Sequence, residues 1–267
     1  MQIISWNVAS ARARTPLIEK LLMEKNPDIL LLQEIKSTNE TFPFQTFSKL
    51  GYHSYISGQK GFNGVAILSK KELTVLHTSL PSLQEEIPEA RYIECKDETT
   101  HFISVYVPNG NPPEKDPFST HRLEYKLKWM QALYEHLTHL KNENISFIIG
   151  GDFNVIEKET DVYNPEHYRD NALMVPPVLK AFEKMQTIGI LNAIRLFNPN
   201  PHTYSFWDFQ GGAWFKNLGM LLDHIFIPEQ EKNIVIDSGI LKEYRGMEKP
   251  SDHVPVYIKT KENSCFF

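Results

Sequence analysis

Residues 147–155 read FIIGGDFNV. An apolar run of the kind found in buried strands meets two glycines, and then an acid and an amide flank one aromatic. A Gly-Gly pair permits unusual backbone angles or a close approach of neighbouring backbone. In an extended chain, residues two apart point to the same side. Asp152 and Asn154 are therefore expected to face one site together, with Phe153 turned into the core. Taken alone, the stretch reads equally well as an Asx turn closing a strand.

Similar short runs recur along the chain: IISW, DILLLQ, GVAILS, FISVYV, ISFIIG, LLDHIFI and VPVYI. They are rich in Ile, Val, Leu and aromatics and bounded by turn residues, the pattern of strands. Helical patterns lie between some of them. PLIEKLLMEKN has apolar residues at 17, 18, 21 and 22, and Thr15-Pro16 is predicted as its N-cap and first helical position. RLEYKLKWMQALYEHLTHL places Leu123, Leu127, Met130, Leu133, Tyr134 and Leu137 on one face. VPPVLKAFEKMQTIGI predicts a third helix, while PNGNPPEKDP and NPNPHTY read as loops. In both halves the strands end in polar residues: Asn7, Glu34 and Tyr106, then Asp152, Asn154, Asp223, Asp252 and His253. Two βαβ-like halves packed as a helix–sheet–sheet–helix sandwich bring these ends to one rim.

The 267 residues are 41% hydrophobic and 23% charged, ordinary globular composition with ample material for a core. The net charge of −5 argues against a protein that coats nucleic acid, which is usually basic. Any contact with nucleic acid needs a local patch or a cation. Cys95 and Cys265 form neither a metal-site spacing nor a disulfide framework, and are expected as reduced thiols. QIISWNV lacks the charged and apolar regions of a signal peptide. No apolar run nears the ~20 residues of a membrane helix, and the final NSCFF misses the prenylation spacing.

The polar strand ends carry the chemistry. Glu34 follows a run that reads as a buried strand, and burying a carboxylate is costly unless something compensates it. A metal ion would. Asn7 can offer an oxygen to a hard cation, and magnesium asks for one or two carboxylates, other oxygens and several waters. A histidine at strand-end depth needs a partner to orient it, and Asp223 is the candidate partner of His253. His224 reads as a core or surface histidine. Each piece alone has a plainer explanation: a surface Glu, a chance Asp-His pair, solvated arginines at 12 and 14. One amide and one Glu early, Asp-x-Asn in the middle, and a late Asp before Asp-His are hard to obtain by chance together.

At this point the chain resembles the exonuclease III type of apurinic/apyrimidinic endonuclease, bacterial branch, within the endonuclease/exonuclease/phosphatase superfamily. The carriers are IISWNV, LLLQEIKS, GYHSYISGQKGFNGVAILSK, EARYIEC, VYVPNGN, YKLKWM, GGDFNV, YSFWDFQ and MEKPSDHVPV. The resemblance implies α/β architecture, a four-layered sandwich of two packed mixed β-sheets flanked by helices. It spans one domain over 1–260, with a tail at 261–267. It implies a magnesium-dependent phosphodiesterase, with manganese as a substitute, that cleaves DNA 5′ to abasic sites and trims 3′ ends. Asn7, Glu34 and Asp252 are implied around the metal. Asp152 would activate water, and His253, held by Asp223, would bind phosphate or share the base role. Asn154 and Tyr106 would donate to the developing charge. Double-stranded DNA with abasic or blocked 3′ ends would meet Arg12, Lys60, Arg91, Asn109 and Arg122, with Arg14, Lys36 and Lys126 as further cations. Phe62, Phe206, Met220 and Leu222 would wedge the duplex or line a pocket for a flipped sugar. A monomer in the bacterial cytoplasm, with the nucleoid and without a membrane, is the matching expectation.

Two positions depart from that pattern. Ala9 stands where a second Asn is usual after WNV, and Leu221 where GMLLD usually carries Arg. A lost Asn is expected to loosen the shell around Asn7, and a lost Arg to remove a phosphate contact or an ion pair. Both bear on the balance between abasic-site cleavage and 3′-end trimming. A phosphatase of small or lipid phosphates and a catalytically weak DNA-end binder are the competing readings. GQKGFNGVA speaks against the first, and the set Glu34, Asp152, Asn154, Asp223 and His253 against the second.

Overall fold

The computed structural model describes residues 1–83, 89–112 and 115–261. In chain order the strands are β1 (Gln2–Asn7), β2 (Ile29–Gln33), β3 (His53–Ser57), β4 (Val65–Ser69), β5 (Thr74–His77), β6 (Tyr92–Lys96), β7 (Thr100–Tyr106), β8 (Ser146–Asp152), β9 (Ile190–Asn192), β10 (Asp223–Pro228), β11 (Val235–Ile240) and β12 (Val256–Thr260). The helices are α1 (Ala11–Lys25), α2 (Phe44–Lys49), α3 (His121–Asn142), α4 (Pro176–Gln186) and the short α5 (Ile194–Phe197). The strands form two six-stranded sheets, ordered β11-β12-β1-β2-β4-β3 and β5-β6-β7-β8-β10-β9. Each holds one parallel pair, β1 with β2 and β7 with β8.

The sheets face each other through Ile3, Leu31 and Ile67 on one side and Ile93, Ile148 and Ile225 on the other. Alternation along each strand sends the next residues outward. Ile4, Trp6, Leu30 and Leu32 meet α1 and α2 through Ile18, Leu21 and Phe47. Ile103, Val105, Phe147 and Ile149 meet α3 and α4 through Trp129, Leu133 and Phe182. This is the expected four-layered sandwich, and all seven apolar runs are strands.

The unforeseen strands are β3, β5, β6, β9 and β11. All but β6 lie at sheet edges, where one side needs no apolar cover. The first helix also differs from expectation. It begins at Ala11, not at Pro16, because Ser10 accepts from Ala13 N at 3.4 Å and Ala11 N is tied to Ile35 O at 3.0 Å. Pro16 lies inside the helix. Beyond Lys261 the expected tail, with Cys265, lies outside the described residues. Cys95 is a buried free thiol pushed up to about 12 by burial. Among the described residues no helix is long and apolar enough to cross a membrane.

The two glycines of the opening stretch serve close approach. A Cβ on Gly151 would stand 1.9 Å from Val105 O, and one on Gly150 would stand 2.8 Å from Leu31 Cδ1 in the opposite sheet. Neighbouring strand and facing sheet thus close up directly beneath Asp152.

Helix α3 is docked by a buried polar knot. Glu94 of β6, 1% exposed, meets His101 at 2.6 Å, His136 of α3 at 2.9 Å and the Tyr92 hydroxyl at 2.8 Å. Burial pushes the Glu94 carboxyl up, but the hydrogen bonds from His101 and His136 outweigh it and hold the group well below the ordinary 4.5. A depressed carboxyl stabilises the fold above the unfolded value and loses that contribution as pH falls. Glu94→Gln is expected to cost about 1–3 kcal/mol at neutral pH. It should also flatten the loss of stability below pH 4.5, read by urea titration across that range.

Candidate active site

The rim of the sandwich gathers the polar strand ends. Asn7 ends β1, Gln33 ends β2 with Glu34 next, Tyr106 ends β7 and Asp152 ends β8, while Asp223 opens β10. Tyr106, Asp152 and Asp223 lie side by side in register. Asp252 and His253 lie a few residues before β12, and His253 pairs by an isolated bridge with Phe206. Trp6 Nε1 donates to His253 O at 3.0 Å, and the Phe206 ring meets the imidazole edge-on at 4.8 Å. The histidine is thereby fixed in both backbone and ring plane.

The hydrogen bonds converge on Asp152. Asn7 Nδ2 donates to Glu34 Oε1 at 2.9 Å and to Asp152 Oδ2 at 3.0 Å, joining the two sheets. Asn154 N donates to Asp152 Oδ1 at 2.9 Å. The plain reading of GDFN, an Asx turn, is therefore present, and Asn154 adopts a left-handed φ of 49°. Its Nδ2 donates to Val107 O at 2.9 Å, and its Oδ1 accepts from Asn109 at 3.1 Å. Phe153 points into the core against Phe182 and Phe226. His253 meets Asp223 Oδ2 through Nδ1 at 2.7 Å, and its Nε2 stands 3.6 Å from Asp152 Oδ2. His224 is a core residue, pushed down to about 3 by burial.

Charge accumulates here. Burial raises the Asp152 carboxyl, His253 opposes that rise, and Asp223 and Glu34 add to it. Burial acts to lower His253, but Asp223 and Asp152 outweigh it and raise the imidazole. Burial raises Glu34, yet hydrogen bonds from Lys36 and Asn7 bring it below its ordinary value, with Lys36 Nζ 2.8 Å from Oε2. Burial and the neighbouring carboxylates Glu34 and Asp152 keep the Tyr106 hydroxyl protonated far above its ordinary range. Asp223 Oδ1 is buried without a hydrogen-bond partner. Crowded carboxylates, one raised and one with an orphan oxygen, suit a divalent cation. Ligand atoms of Asp152, Asp223 and His253 also lie within 4.8 Å of one another. Two of those three are already joined by a short hydrogen bond, which favours Glu34 as the ion's anchor. Asn7 presents nitrogen to the carboxylates and its oxygen to Ala9 N at 3.1 Å; as a cation ligand its amide would have to turn.

The expected DNA-facing residues separate into groups. Arg12, Lys60, Phe62, Asn109 and Arg122 are exposed, with Phe62 at 56%. Arg91 is occupied by Tyr106: its guanidinium lies 4.7 Å over the ring, donates to Tyr106 O at 3.3 Å and pairs with Glu89. Phe206 is partly buried, whereas Met220 and Leu222 are buried with Ile156, Val162 and Leu173. None of the three further cations is free, since Lys36 is the one paired with Glu34. Lys126 is fully buried on three backbone carbonyls, and Arg14 ties Ala9 O and Pro250 O at 3.2 and 3.0 Å.

The two departures have local explanations. Ala9 N still bonds Asn7 Oδ1, so a backbone group supports Asn7 whatever side chain stands at 9. Leu221 is buried at 2%, with its N–H on Asp161 O at 2.8 Å. The Asp161 carboxylate is taken by Arg195, which also holds Glu157 at 2.7 Å. An ion pair thus exists beside Leu221 without an arginine at that position.

Sequence reasoning missed two supports. Ser205, 0% exposed, donates to Asp223 Oδ2 at 2.6 Å and accepts from the N–H groups of Leu222 and Asp223 at 3.1 Å. Gln33 Nε2 bonds Ser5 and Ser104 from opposite sheets at 3.2 and 3.0 Å. Ser205→Ala is expected to cost about 1–3 kcal/mol in urea unfolding, because it strips a donor and an acceptor from buried groups. Ala9 holds a left-handed φ of 47°, which Asn tolerates better. Ala9→Asn should therefore gain up to about 1 kcal/mol in the same assay.

Comparison with known proteins identifies the family and agrees with the fold. Residues 4–253 match the model of the Endonuclease/Exonuclease/phosphatase family. The chain is 30% identical to exodeoxyribonuclease III of Haemophilus influenzae over 98% of its own length and 100% of the relative's. An AP endonuclease from Archaeoglobus fulgidus superposes with a TM-score of 0.90 at 31% identity, covering 98% of this chain and 99% of that one. A 3′ phosphatase from Neisseria bound to a product DNA hairpin superposes at 0.91 with 30% identity, covering 98% and 99%. Fold, rim constellation and full-length similarity together make this chain a member of the endonuclease/exonuclease/phosphatase family, a nuclease of the exonuclease III type.

Proposed function

We propose that the chain is a magnesium-dependent repair phosphodiesterase that acts as a monomer on double-stranded DNA, in the bacterial cytoplasm with the nucleoid. It cuts 5′ to abasic sites and trims blocked 3′ ends. The observation that carries this reading is the line Asp223–His253–Asp152, crossed by the Asn7 bridge to Glu34. Asp152, raised by burial, takes the proton of an attacking water. Asp223 holds His253 by Nδ1, which leaves Nε2 to bind phosphate or share that proton. Asn154 and Asn109 each keep a second amide N–H for the developing charge, and Tyr106 stays a protonated donor. A magnesium ion at Glu34 and Asp252, with Asn7 turned to present oxygen, would neutralise phosphate and assist the leaving 3′-oxygen. Manganese would serve as a substitute. Exposed Arg12, Lys60 and Arg122 supply backbone contacts and salt-sensitive binding.

A second reading is a 3′-end-processing enzyme with weak abasic-site incision. The likeness to the Neisseria 3′ phosphatase supports it, as do the residues at 9 and 221.

A duplex with one stable abasic analogue is the first substrate. Incision on its 5′ side with magnesium, abolished by chelator, is the expected result. Asp152→Asn should lower the rate by about 10²–10⁴-fold. A rate near wild type for that variant would overturn the assignment of Asp152. Activity confined to a recessed, blocked 3′ end would establish the second reading instead.

A further inference from the structure

Lys126 is an expensive residue where it stands. It lies on the inner face of α3, 0% exposed, and burial pushes its ammonium down to about 7 against the opposing pull of Asp152. A buried ammonium is costly, and an apolar side chain of like volume would pack without that penalty. The three donors of the lysine head are spent on three carbonyls: Asn154 O at 2.6 Å, Ala172 O at 2.8 Å and Asn109 O at 3.1 Å. Those carbonyls are far apart in sequence: Asn109 follows β7, Asn154 opens the connection between β8 and α4, and Ala172 lies near its end.

Two of the three residues so held carry amides of the site. Asn109 Nδ2 donates to Asn154 Oδ1, and Asn154 N donates to Asp152 Oδ1. Behind them the chain of amides continues, with Asn111 Nδ2 on Asn109 Oδ1 at 2.7 Å and on Asn171 Oδ1 at 3.0 Å. Ala172 N closes the circuit on Asn111 Oδ1 at 2.9 Å. Asn154 is held in a left-handed conformation, and such a state persists only when its surroundings determine it. Space for the lysine stem is reserved by Gly110, where a Cβ would stand 2.7 Å from Lys126 Cδ and 3.1 Å from Ala172 Cβ.

We propose that Lys126 is a positioning residue for phosphodiester cleavage: by pinning the carbonyls of Asn109, Asn154 and Ala172 it sets the two amides that face the phosphate. The inference rests on the preceding reading of Asp152, Asn154 and Asn109. Displacement of reacting groups by about 1 Å costs on the order of 10²-fold in rate. Lys126 never touches substrate, so its loss should act on turnover more than on binding.

The test compares Lys126→Met, which keeps the stem, with Lys126→Arg, which keeps charge and donors. On the abasic duplex or the blocked 3′ end, Lys126→Met should lose about 10²-fold in kcat with KM nearly unchanged, and Lys126→Arg should recover most of that loss. Equal losses in both variants, or a rise in KM alone, would reduce Lys126 to packing. Should Lys126→Met fail to fold, Asn111→Ala breaks the same circuit from the half-buried side. It should lower kcat about tenfold with unchanged unfolding, and wild-type turnover there would overturn the proposal. A wild-type enzyme silent on both substrates would sink the preceding reading, not this one. The side-chain amide resonances of Asn109 and Asn154 would then decide, shifted in Lys126→Met and restored in Lys126→Arg if the lysine sets them.

Discussion

One amide joins the two halves of the molecule at the rim where the polar strand ends gather. Asn7 belongs to the first sheet and Asp152 to the second, and the Asn7 Nδ2 contact with Glu34 and Asp152 spans the gap. One layer below, Gln33 repeats the span through Ser5 and Ser104. Beneath that the facing side chains are apolar, among them Ile3, Leu31, Ile67, Phe102 and Ile148. A polar tier between apolar sheets is tolerable only when its groups are satisfied, which ties the register of one sheet to that of the other. Gly150 lets the facing sheets come close beside these short bonds, where a Cβ would stand 2.8 Å from Leu31 Cδ1 and 3.3 Å from Ser5 Cβ.

Holding several carboxylates in one buried rim costs stability, and the surroundings answer each in a different way. Glu34 has Lys36 and Asn7. Asp223 has His253 and Ser205 on a single oxygen, and nothing on the other. Asp152 takes two N–H donors and still remains raised. The deficit therefore concentrates on the group best placed to accept a proton. Strain collects at the same rim: Glu34, Lys36 and Asn154 all hold positive φ. Such strained residues are common where structure serves function more than stability.

The interior of the fold was legible in the sequence because its period is plain. Every strongly apolar run became a strand, and the amphipathic stretches became α1, α3 and α4. The edge strands were not legible, since β5 is exposed along most of its length and β9 spans only Ile190–Asn192. β6 was hidden by Glu94, a charge that reads as surface until His101 and His136 are placed around it. The residues gathered at the rim were readable as polar ends of apolar runs. What the letters could not show is direction. Lys126 reads as a free cation, although its spacing to Met130, Leu133 and Leu137 already put it on the buried face of its helix. Ser205 carries no pattern of its own, because its role depends on Asp223 being brought beside it by the fold.

The order of strands has a consequence for how the enzyme comes into being. β12, the last strand, inserts between β11 and β1, and His253 lies just ahead of it. The first and last strands are neighbours, with Met1 N donating to Thr260 O at 3.2 Å. Residues 2–260 must therefore all be made before the first sheet can close and His253 can meet Asp223. Until then Asn7, Glu34 and Asp152 stand without the histidine that completes the line. The line Asp223–His253–Asp152 is thus completed together with the closure of the first sheet, so the order of the strands ties the assembly of the rim to the assembly of the fold.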